Sequence, residues 1–240
     1  MGQQRSRRKQ KRNGLDRRNF LKSAAAGLAA STLPLLSEGG NAAQAALLET
    51  AFVHGVASGD PLQDRVILWT RVTVPGGTPV TVEYVIATDP GLVTLVQTGS
   101  TITDASRDHT VKIDAAGLEA GRTYYYRFSV GAIQSPVGRT RTLPVGPVDR
   151  LRIAVASCAS LAHGYFNAYD AIANLPRVDA VLHLGDYIYE YGGAPTDYGM
   201  NSPVAAGRMP DPLHEIVTLE DYRRRHARYK SDPHLQAAHA

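Results

Sequence analysis

The sequence has one cysteine, one tryptophan and no apolar run long enough to cross a membrane. Its lone cysteine, Cys158, has no partner for a disulfide within the chain. The Ala- and Leu-rich run at 23–36 has 14 residues, whereas a membrane-spanning helix needs roughly 20. We therefore expect no internal disulfide and no stable membrane span.

Basic residues are also missing over a long stretch, since no Lys or Arg occurs at 23–45. Nine of them crowd into residues 1–22, and the whole chain has a net charge of +4. Residues 46–240 contain 17 basic and 20 acidic side chains, a net charge of −3. The positive charge thus belongs to the first residues alone, and we infer no nucleic-acid binding.

The first 45 residues pass from a basic zone to the short apolar run and then to Ala43, Gln44 and Ala45. This order predicts a secretory signal peptide at 1–45, cleaved near Ala45. The segment DRRNFLK at 16–22 resembles a twin-arginine export signal, although Asp16 stands where Ser or Thr is usual. The alternative is an Arg-rich tail beside a core helix. The resemblance implies the twin-arginine translocation machinery as a partner and a periplasmic or extracellular location.

Residues 46–147 are predicted to form an antiparallel β-sandwich. Apolar and polar residues alternate with a period of two over five runs, at 66–73, 80–86, 93–103, 110–114 and 123–130. Leu118, Gly121 and Tyr124 resemble the corner of a fibronectin-III or immunoglobulin-like domain, where a tyrosine hydroxyl ties a loop to a strand. We assign Trp69 to packing in the core or between domains.

The pattern changes after a Pro- and Gly-containing linker at 143–147. Residues 152–158 and 179–186 are nearly continuous apolar runs, which predicts strands buried on both faces. Between them, apolar residues recur at helical spacing: Phe166, Tyr169 and Ile172. Strand, helix and strand predict a parallel pair with a right-handed crossover, at the start of an α/β domain over 148–240.

Two residues with metal-binding chemistry follow these strands. Cys158 and Asp186 stand at the carboxyl ends, where ligands gather in parallel sheets. A free thiol in an exported protein suggests either a thiolate ligand or a thiol buried in packing. Asp186 suggests either metal binding or a helix-cap or structural role. A covalent mechanism is not favoured, because Ser157 and Ser160 lack a base at a recognisable spacing.

Several long segments resemble the PhoD-type alkaline phosphatases. FVHGVASGDP at 52–61 and VILWTR at 66–71 are similar to the amino-terminal domain of that family. Ser157-Cys158, HLGDYIYEY at 183–191 and the segment 219–233 are similar to the opening of its catalytic domain. The resemblance implies a calcineurin-like metallophosphoesterase fold for that second part, with a site similar to that of purple acid phosphatases.

The same resemblance implies an exported hydrolase of small phosphate esters that binds iron(III) and calcium. Its metals would polarise the phosphoryl oxygens and activate a water molecule for attack. Carried over by motif, Cys158 is an iron ligand, Asp186 is the catalytic residue that bridges the metals, and Tyr189 is the iron-binding phenolate. Tyr187 and Tyr191 are assigned to packing. His183 is assigned to a local hydrogen bond.

The family's remaining metal ligands follow later, in an Asp-Asp-His-Glu-type segment that these 240 residues do not contain. We therefore expect residues 148–240 to be an incomplete metallophosphoesterase domain and the 240-residue chain to be inactive by itself. The alternative is a non-catalytic exported β-sandwich that serves as a binding module, or an inactive fragment.

Overall fold

The computed structural model describes residues 52–240. The predicted signal peptide, the arginine pair and the cleavage site near Ala45 lie outside the described residues. Within residues 52–240, no helix is long and apolar enough to cross a membrane.

Eight antiparallel strands make up the first part of the described chain. They are β1 Val56–Gly59, β2 Arg65–Arg71, β3 Val80–Ala87, β4 Leu95–Thr103, β5 Thr110–Ala116, β6 Thr123–Val130, β7 Ile133–Gln134 and β8 Gly138–Arg141. One sheet has the order β1-β2-β5. The other has the order β4-β3-β6-β7, with β8 also paired to β6. The predicted sandwich architecture is confirmed.

Strand alternation places the sandwich core between the two sheets. In β2, Val66, Leu68 and Thr70 are buried while their neighbours are partly exposed. In β6, every second residue from Tyr124 to Val130 is buried in the same way. The inner faces of both sheets therefore close over one apolar core, as a half-apolar strand requires.

The predicted strand at 93–103 begins two residues later than expected, at Leu95. The Asp89 carboxylate accepts hydrogen bonds from the backbone N–H groups of Val93 at 3.1 Å and Thr94 at 2.7 Å. An aspartate that bonds to backbone N–H groups a few residues ahead favours a turn over a strand ladder. The alternation of apolar residues does not show that the Asp89 side chain competes with a neighbouring strand for these N–H groups.

The tyrosine corner is present as predicted. The backbone N–H of Glu119 donates to the Tyr124 hydroxyl at 2.8 Å, which ties the loop before β6 to that strand. Gly121 has a φ of +68°, a left-handed conformation that favours glycine.

The second part of the chain contains two strands and three helices. They are β9 Ile153–Ala156, α1 Asn167–Ala173, β10 Ala180–His183, α2 Leu219–Lys230 and α3 Pro233–His239. The strands β9 and β10 pair in parallel, from Ile153 opposite Ala180 to Ala156 opposite His183. The predicted strand–helix–strand unit is confirmed.

The expected burial of these two strands on both faces is wrong for the described residues. Val155 is 58% exposed and Leu182 is 49% exposed. Among residues 52–240, β9 and β10 pair only with each other, so no third strand extends the sheet. A strand is enclosed only when neighbours cover it, and here the apolar residues of the pair remain in contact with solvent.

Side chains and backbone groups connect the sandwich to the second part. The Trp69 ring meets the His226 ring edge-on at 6.1 Å, and the Lys230 ammonium lies 5.1 Å from the Trp69 ring centre. The Gln236 amide donates to the carbonyl of Val53 at 2.8 Å. Trp69 thus packs between the two parts, as the sequence predicted.

Candidate metal centre

The loops that follow β9 and β10 run side by side. The N–H of Cys158 donates to the carbonyl of Gly185 at 3.2 Å, and the N–H of Ala159 donates to the carbonyl of Asp186 at 2.8 Å. The parallel register puts both strand ends at the same edge of the sheet. The backbone therefore brings Cys158 and Asp186 together, although 27 residues separate them in the sequence.

Both residues have an uncommon backbone conformation. Cys158 has a φ of 60° and Asp186 a φ of 53°. Both values lie in the left-handed region that residues other than glycine rarely adopt. Such a conformation costs on the order of 1–3 kcal/mol per residue and clusters at functional sites. The hydrogen bonds between the two loops hold these conformations, which turn both side chains out of the strand direction.

Two side chains, those of Cys158 and Tyr189, converge on one carboxylate oxygen of Asp186. The Cys158 thiol lies 3.6 Å from Asp186 Oδ2, and the Tyr189 hydroxyl donates to the same oxygen at 3.1 Å. Cys158 and Asp186 are exposed, and Tyr189 is half-buried. The structure therefore brings together all three predicted site residues.

The geometry removes one alternative for each of the two strand-end residues. Because the Cys158 side chain is exposed, its thiol is not buried in packing. Asp186 caps no helix, since it lies in a loop between β10 and a segment without regular structure. Metal binding by either residue stays a prediction, and the contact of Asp186 with Tyr189 also agrees with a structural role.

The phenol of Tyr189 holds its proton tightly in the metal-free protein. Removal from water, hydrogen bonding with Cys158 and Asp186, and the negative charge of Asp186 all raise the pKa of Tyr189. Three groups that can each become anionic thus share a small space. A cation placed between them would take the place of the phenolic proton.

The three donors fit iron(III). A carboxylate and a phenolate are hard oxygen ligands that stabilise a high charge, and a thiolate completes an anionic set. The set depends on Tyr189, because no group of three His, Cys, Asp or Glu residues within 52–240 could hold a metal ion. Calcium takes six to eight oxygen ligands. The described residues do not fit it, because Asp186 is the one carboxylate of this cluster.

An open cleft of about 260 Å³ lies beside Cys158. Its lining includes Ser160 and His163, whose Oγ and Nδ1 atoms lie 2.7 Å apart. The sequence spacing marks no base for Ser160, but the turn after Cys158 folds His163 back onto the hydroxyl. The ring of His163 packs against Tyr198 at 4.4 Å, and no carboxylate among the described residues bonds to it. A serine nucleophile normally needs such a third group to orient its base.

Neighbouring aromatic residues surround the cluster. His183 forms the expected local hydrogen bond, with its Nε2 atom 2.7 Å from the Tyr169 hydroxyl. Tyr187 packs against the apolar cluster of the second part, and Tyr191 stacks on Tyr189 with ring centres 6.2 Å apart. Tyr198, which sequence reasoning missed, stacks on Tyr189 at 5.4 Å. No motif marks Tyr198, because it lies in a segment without periodicity.

Comparison with known proteins gives two family matches in sequence order. Residues 39–144 match the N-terminal domain of PhoD-like phosphatases, and residues 153–240 match the PhoD-like phosphatase domain. Alkaline phosphatase D of Bacillus subtilis (strain 168) is 43% identical over 241 residues. This chain is a PhoD-like phosphatase family member. A solved structure titled "Structure of PhoD" matches with a TM-score of 0.73 and 42% identity.

The extent of these matches differs between the chains. The alignment with alkaline phosphatase D covers 95% of this chain and 40% of the Bacillus protein. The structural match covers 79% of this chain and 37% of the solved chain. The chain therefore spans about two-fifths of the length of the PhoD-like relatives it matches.

Proposed function

We propose that this chain is part of an exported hydrolase of small phosphate mono- or diesters. Its iron(III) is held by the Cys158 thiolate, the Asp186 carboxylate and the Tyr189 phenolate. The observation that carries this proposal is the meeting of the three side chains at Asp186 Oδ2, at the ends of two parallel strands. Membership of the PhoD-like phosphatases supports the reaction class.

The bound metal would supply Lewis-acid chemistry, polarising a phosphoryl oxygen and lowering the pKa of a water molecule. Asp186, as the residue in contact with both other donors, fixes the distance between them. Cys158 also lines the open cleft, so a phosphate ester in that cleft lies beside the donor cluster. Calcium, which the family resemblance implies, is assigned to no residue of this cluster, because Asp186 is its one carboxylate.

Iron(III) bound to a tyrosine phenolate absorbs visible light, which makes the donor set directly measurable. We expect the iron(III)-loaded 240-residue chain to show such a band and Tyr189→Phe to remove it. Tyr191→Phe is the matched control, because Tyr191 stacks on Tyr189 without touching Asp186. A band that persists in Tyr189→Phe would show that another residue binds the iron.

Activity is measured on the complete gene product with a nitrophenyl phosphate. We expect Asp186→Ala to lower kcat/KM by more than about a hundredfold, since even outer-sphere partners of a metal cost about 10–100-fold. Asp114→Ala, which removes an exposed carboxylate of the sandwich, serves as control. Hydrolysis that is unchanged in Asp186→Ala would refute the proposed site.

Export through the twin-arginine translocation machinery to the periplasm or beyond the cell is the second half of the proposal. It rests on the basic, apolar and small-residue zones of the first 45 residues. We expect Arg17→Lys combined with Arg18→Lys to leave the precursor in the cytoplasm, as measured by cell fractionation. Arg7→Lys combined with Arg8→Lys, which keeps the DRRNFLK segment intact, should be exported normally. Normal export of the first double variant would contradict this route.

A further inference from the structure

Arg225 on helix α2 is buried, with 1% of its surface exposed, and all of its partners are backbone carbonyls. A guanidinium has five N–H donors in a fixed planar fork. Here five carbonyl oxygens surround it, those of Tyr189, Tyr191, Asp211, Pro212 and His214. Every donor therefore has a carbonyl acceptor.

No salt bridge to Arg225 occurs among the described residues. The carboxylates of Asp211, Asp221 and Glu190 act on the guanidinium without a direct ion pair, and burying a cation without such a pair is costly. The arrangement is thus poorly explained by stability alone. What an arginine provides here and an apolar residue does not is a rigid set of donors that fixes several backbone segments at once.

Two of the five carbonyls belong to the candidate metal ligand Tyr189 and to Tyr191, two residues after it. The Nη1 group donates to the carbonyl of Tyr189 itself and, at 2.8 Å, to that of Tyr191. The carbonyl of Glu190 between them accepts the N–H of Ile216 at 3.0 Å. Tyr189 belongs to no strand or helix, so these bonds replace the regular structure that would otherwise fix its backbone.

Helix α2 also reaches the other ligand loop. One turn after Arg225, the Tyr229 hydroxyl accepts the N–H of Leu161 at 3.3 Å, three residues beyond Cys158. Residues four apart lie on the same helix face, so one face contacts both loops. A capping box between Thr218 and Asp221 fixes where the helix starts and hence which residues occupy that face.

We propose that Arg225 is a positioning residue for Tyr189. By holding the carbonyls of Tyr189 and Tyr191, it sets where the phenol lies relative to Asp186 and Cys158. The metal-binding consequence of this role rests on the proposed function, whereas the placement of the Tyr189 ring does not.

The test compares Arg225→Lys with Arg224→Lys. Lysine at 225 keeps the charge but has three mobile donors in place of the planar five. Arg224 is the matched control, because it is the preceding residue of the same helix and makes an exposed pair with Asp211. Circular dichroism reports whether each variant retains the fold.

The first readout needs no metal. With ¹³Cζ-labelled tyrosine, the NMR signal of Tyr189 is assigned by its loss in Tyr189→Phe. We expect Arg225→Lys to shift or broaden the Tyr189 signal while that of Tyr124, in the sandwich, stays in place. Arg224→Lys should leave both signals unchanged.

The second readout is iron(III) binding. We expect Arg225→Lys to weaken it about 10–100-fold and to move the phenolate absorption band, with Arg224→Lys within about twofold of the unaltered chain. If the unaltered chain binds no iron, the proposed function fails while the NMR comparison still decides the positioning role. If Arg225→Lys leaves the Tyr189 signal unmoved, the positioning role is refuted.

Should Arg225→Lys not fold, Arg225→Gln offers a neutral amide with two N–H donors for the same comparison. A folded Arg225→Gln with a displaced Tyr189 signal supports the proposal. Loss of folding in both variants would assign Arg225 to the stability of the whole segment and overturn a specific role in positioning Tyr189.

Discussion

The β-sandwich and the segment after it use their apolar residues in opposite ways. In the sandwich, both sheets turn their apolar faces inward, and Leu68, Tyr126 and Phe128 are fully buried. In the second part, the strands β9 and β10 leave Val155 and Leu182 largely exposed. The candidate metal ligands lie at the ends of the exposed pair. The sandwich therefore has a closed apolar core, whereas the candidate metal ligands lie in the region whose strands are partly exposed.

This contrast has a physical origin in what surrounds each strand. Each long strand of the sandwich pairs with a neighbouring strand, and its apolar face is covered by the second sheet. The sandwich therefore buries its apolar side chains within about 90 residues. The parallel pair has α1 and one apolar cluster beside it, built from residues such as Phe166, Tyr169 and Tyr229. Of the two strands, only Ala156 packs against that cluster.

Separating the two regions would test the contrast most severely. We expect a polypeptide of residues 46–147 to show β-type circular dichroism and one cooperative thermal transition, because its core is complete. A polypeptide of residues 148–240 should lack a cooperative transition and aggregate, because exposed apolar patches promote association. A disordered 46–147 polypeptide would contradict the predicted domain boundary.

A substitution in the sandwich core should destabilise the protein more than a substitution in the exposed strand pair. Phe128→Ala removes a side chain that is fully buried between the sheets, and we expect the free energy of unfolding to fall by about 3–5 kcal/mol. Val155→Ala, in the exposed pair, should change it by less than about 0.5 kcal/mol. Chemical denaturation measures both. Equal effects would mean that β9 is covered in solution.

The contact between the regions should be sensitive to acid. Burial, and then the nearby Lys230 charge, lower the pKa of His226 to about 4. Burial and Arg71 lower that of His54 to about 4 as well. An unfolded histidine titrates near 6.5. Between pH 6.5 and 4 the unfolded state therefore binds protons that the folded state does not, so stability falls as the pH falls through this window.

His226→Asn should flatten this dependence, removing about 2 kcal/mol of the loss between pH 6.5 and 4.5. His163→Asn is the control, because His163 is exposed and distant from the contact between the regions. The measurement is the free energy of unfolding at several pH values. An unchanged slope in His226→Asn would show that this contact does not bury the ring in solution.

Sequence reasoning succeeded wherever a local rule decided the outcome. The alternation at 123–130 gave β6 with its bounds, and Leu118, Gly121 and Tyr124 gave the corner hydrogen bond. The nearly continuous apolar runs gave the parallel pair. Reasoning failed where two local preferences competed, as at Val93 and Thr94. There, the Asp89 carboxylate takes the backbone donors that a strand would use.

The sequence pattern did not predict which strands are covered or which side chains meet. An apolar run shows that a strand suits a buried position, but not which other chain segment covers it. Val155 is exposed because no third strand among residues 52–240 extends the sheet. The Ser160–His163 contact was missed for a related reason. Its spacing of three residues matches no catalytic pattern, and the backbone turn after Cys158 creates it.

The sequence by itself determined the order of the two regions and the positions of most strands, and it predicted the three donor residues, because these follow from periodicity and from a long family motif. The tertiary structure alone decided that the donors share one carboxylate oxygen, because two left-handed residues at parallel strand ends turn their side chains toward each other. It also brought five backbone carbonyls, from residues 189–214, to the guanidinium of Arg225. Backbone carbonyls have no letter in a sequence, so their convergence on one guanidinium becomes visible only when the chain is folded.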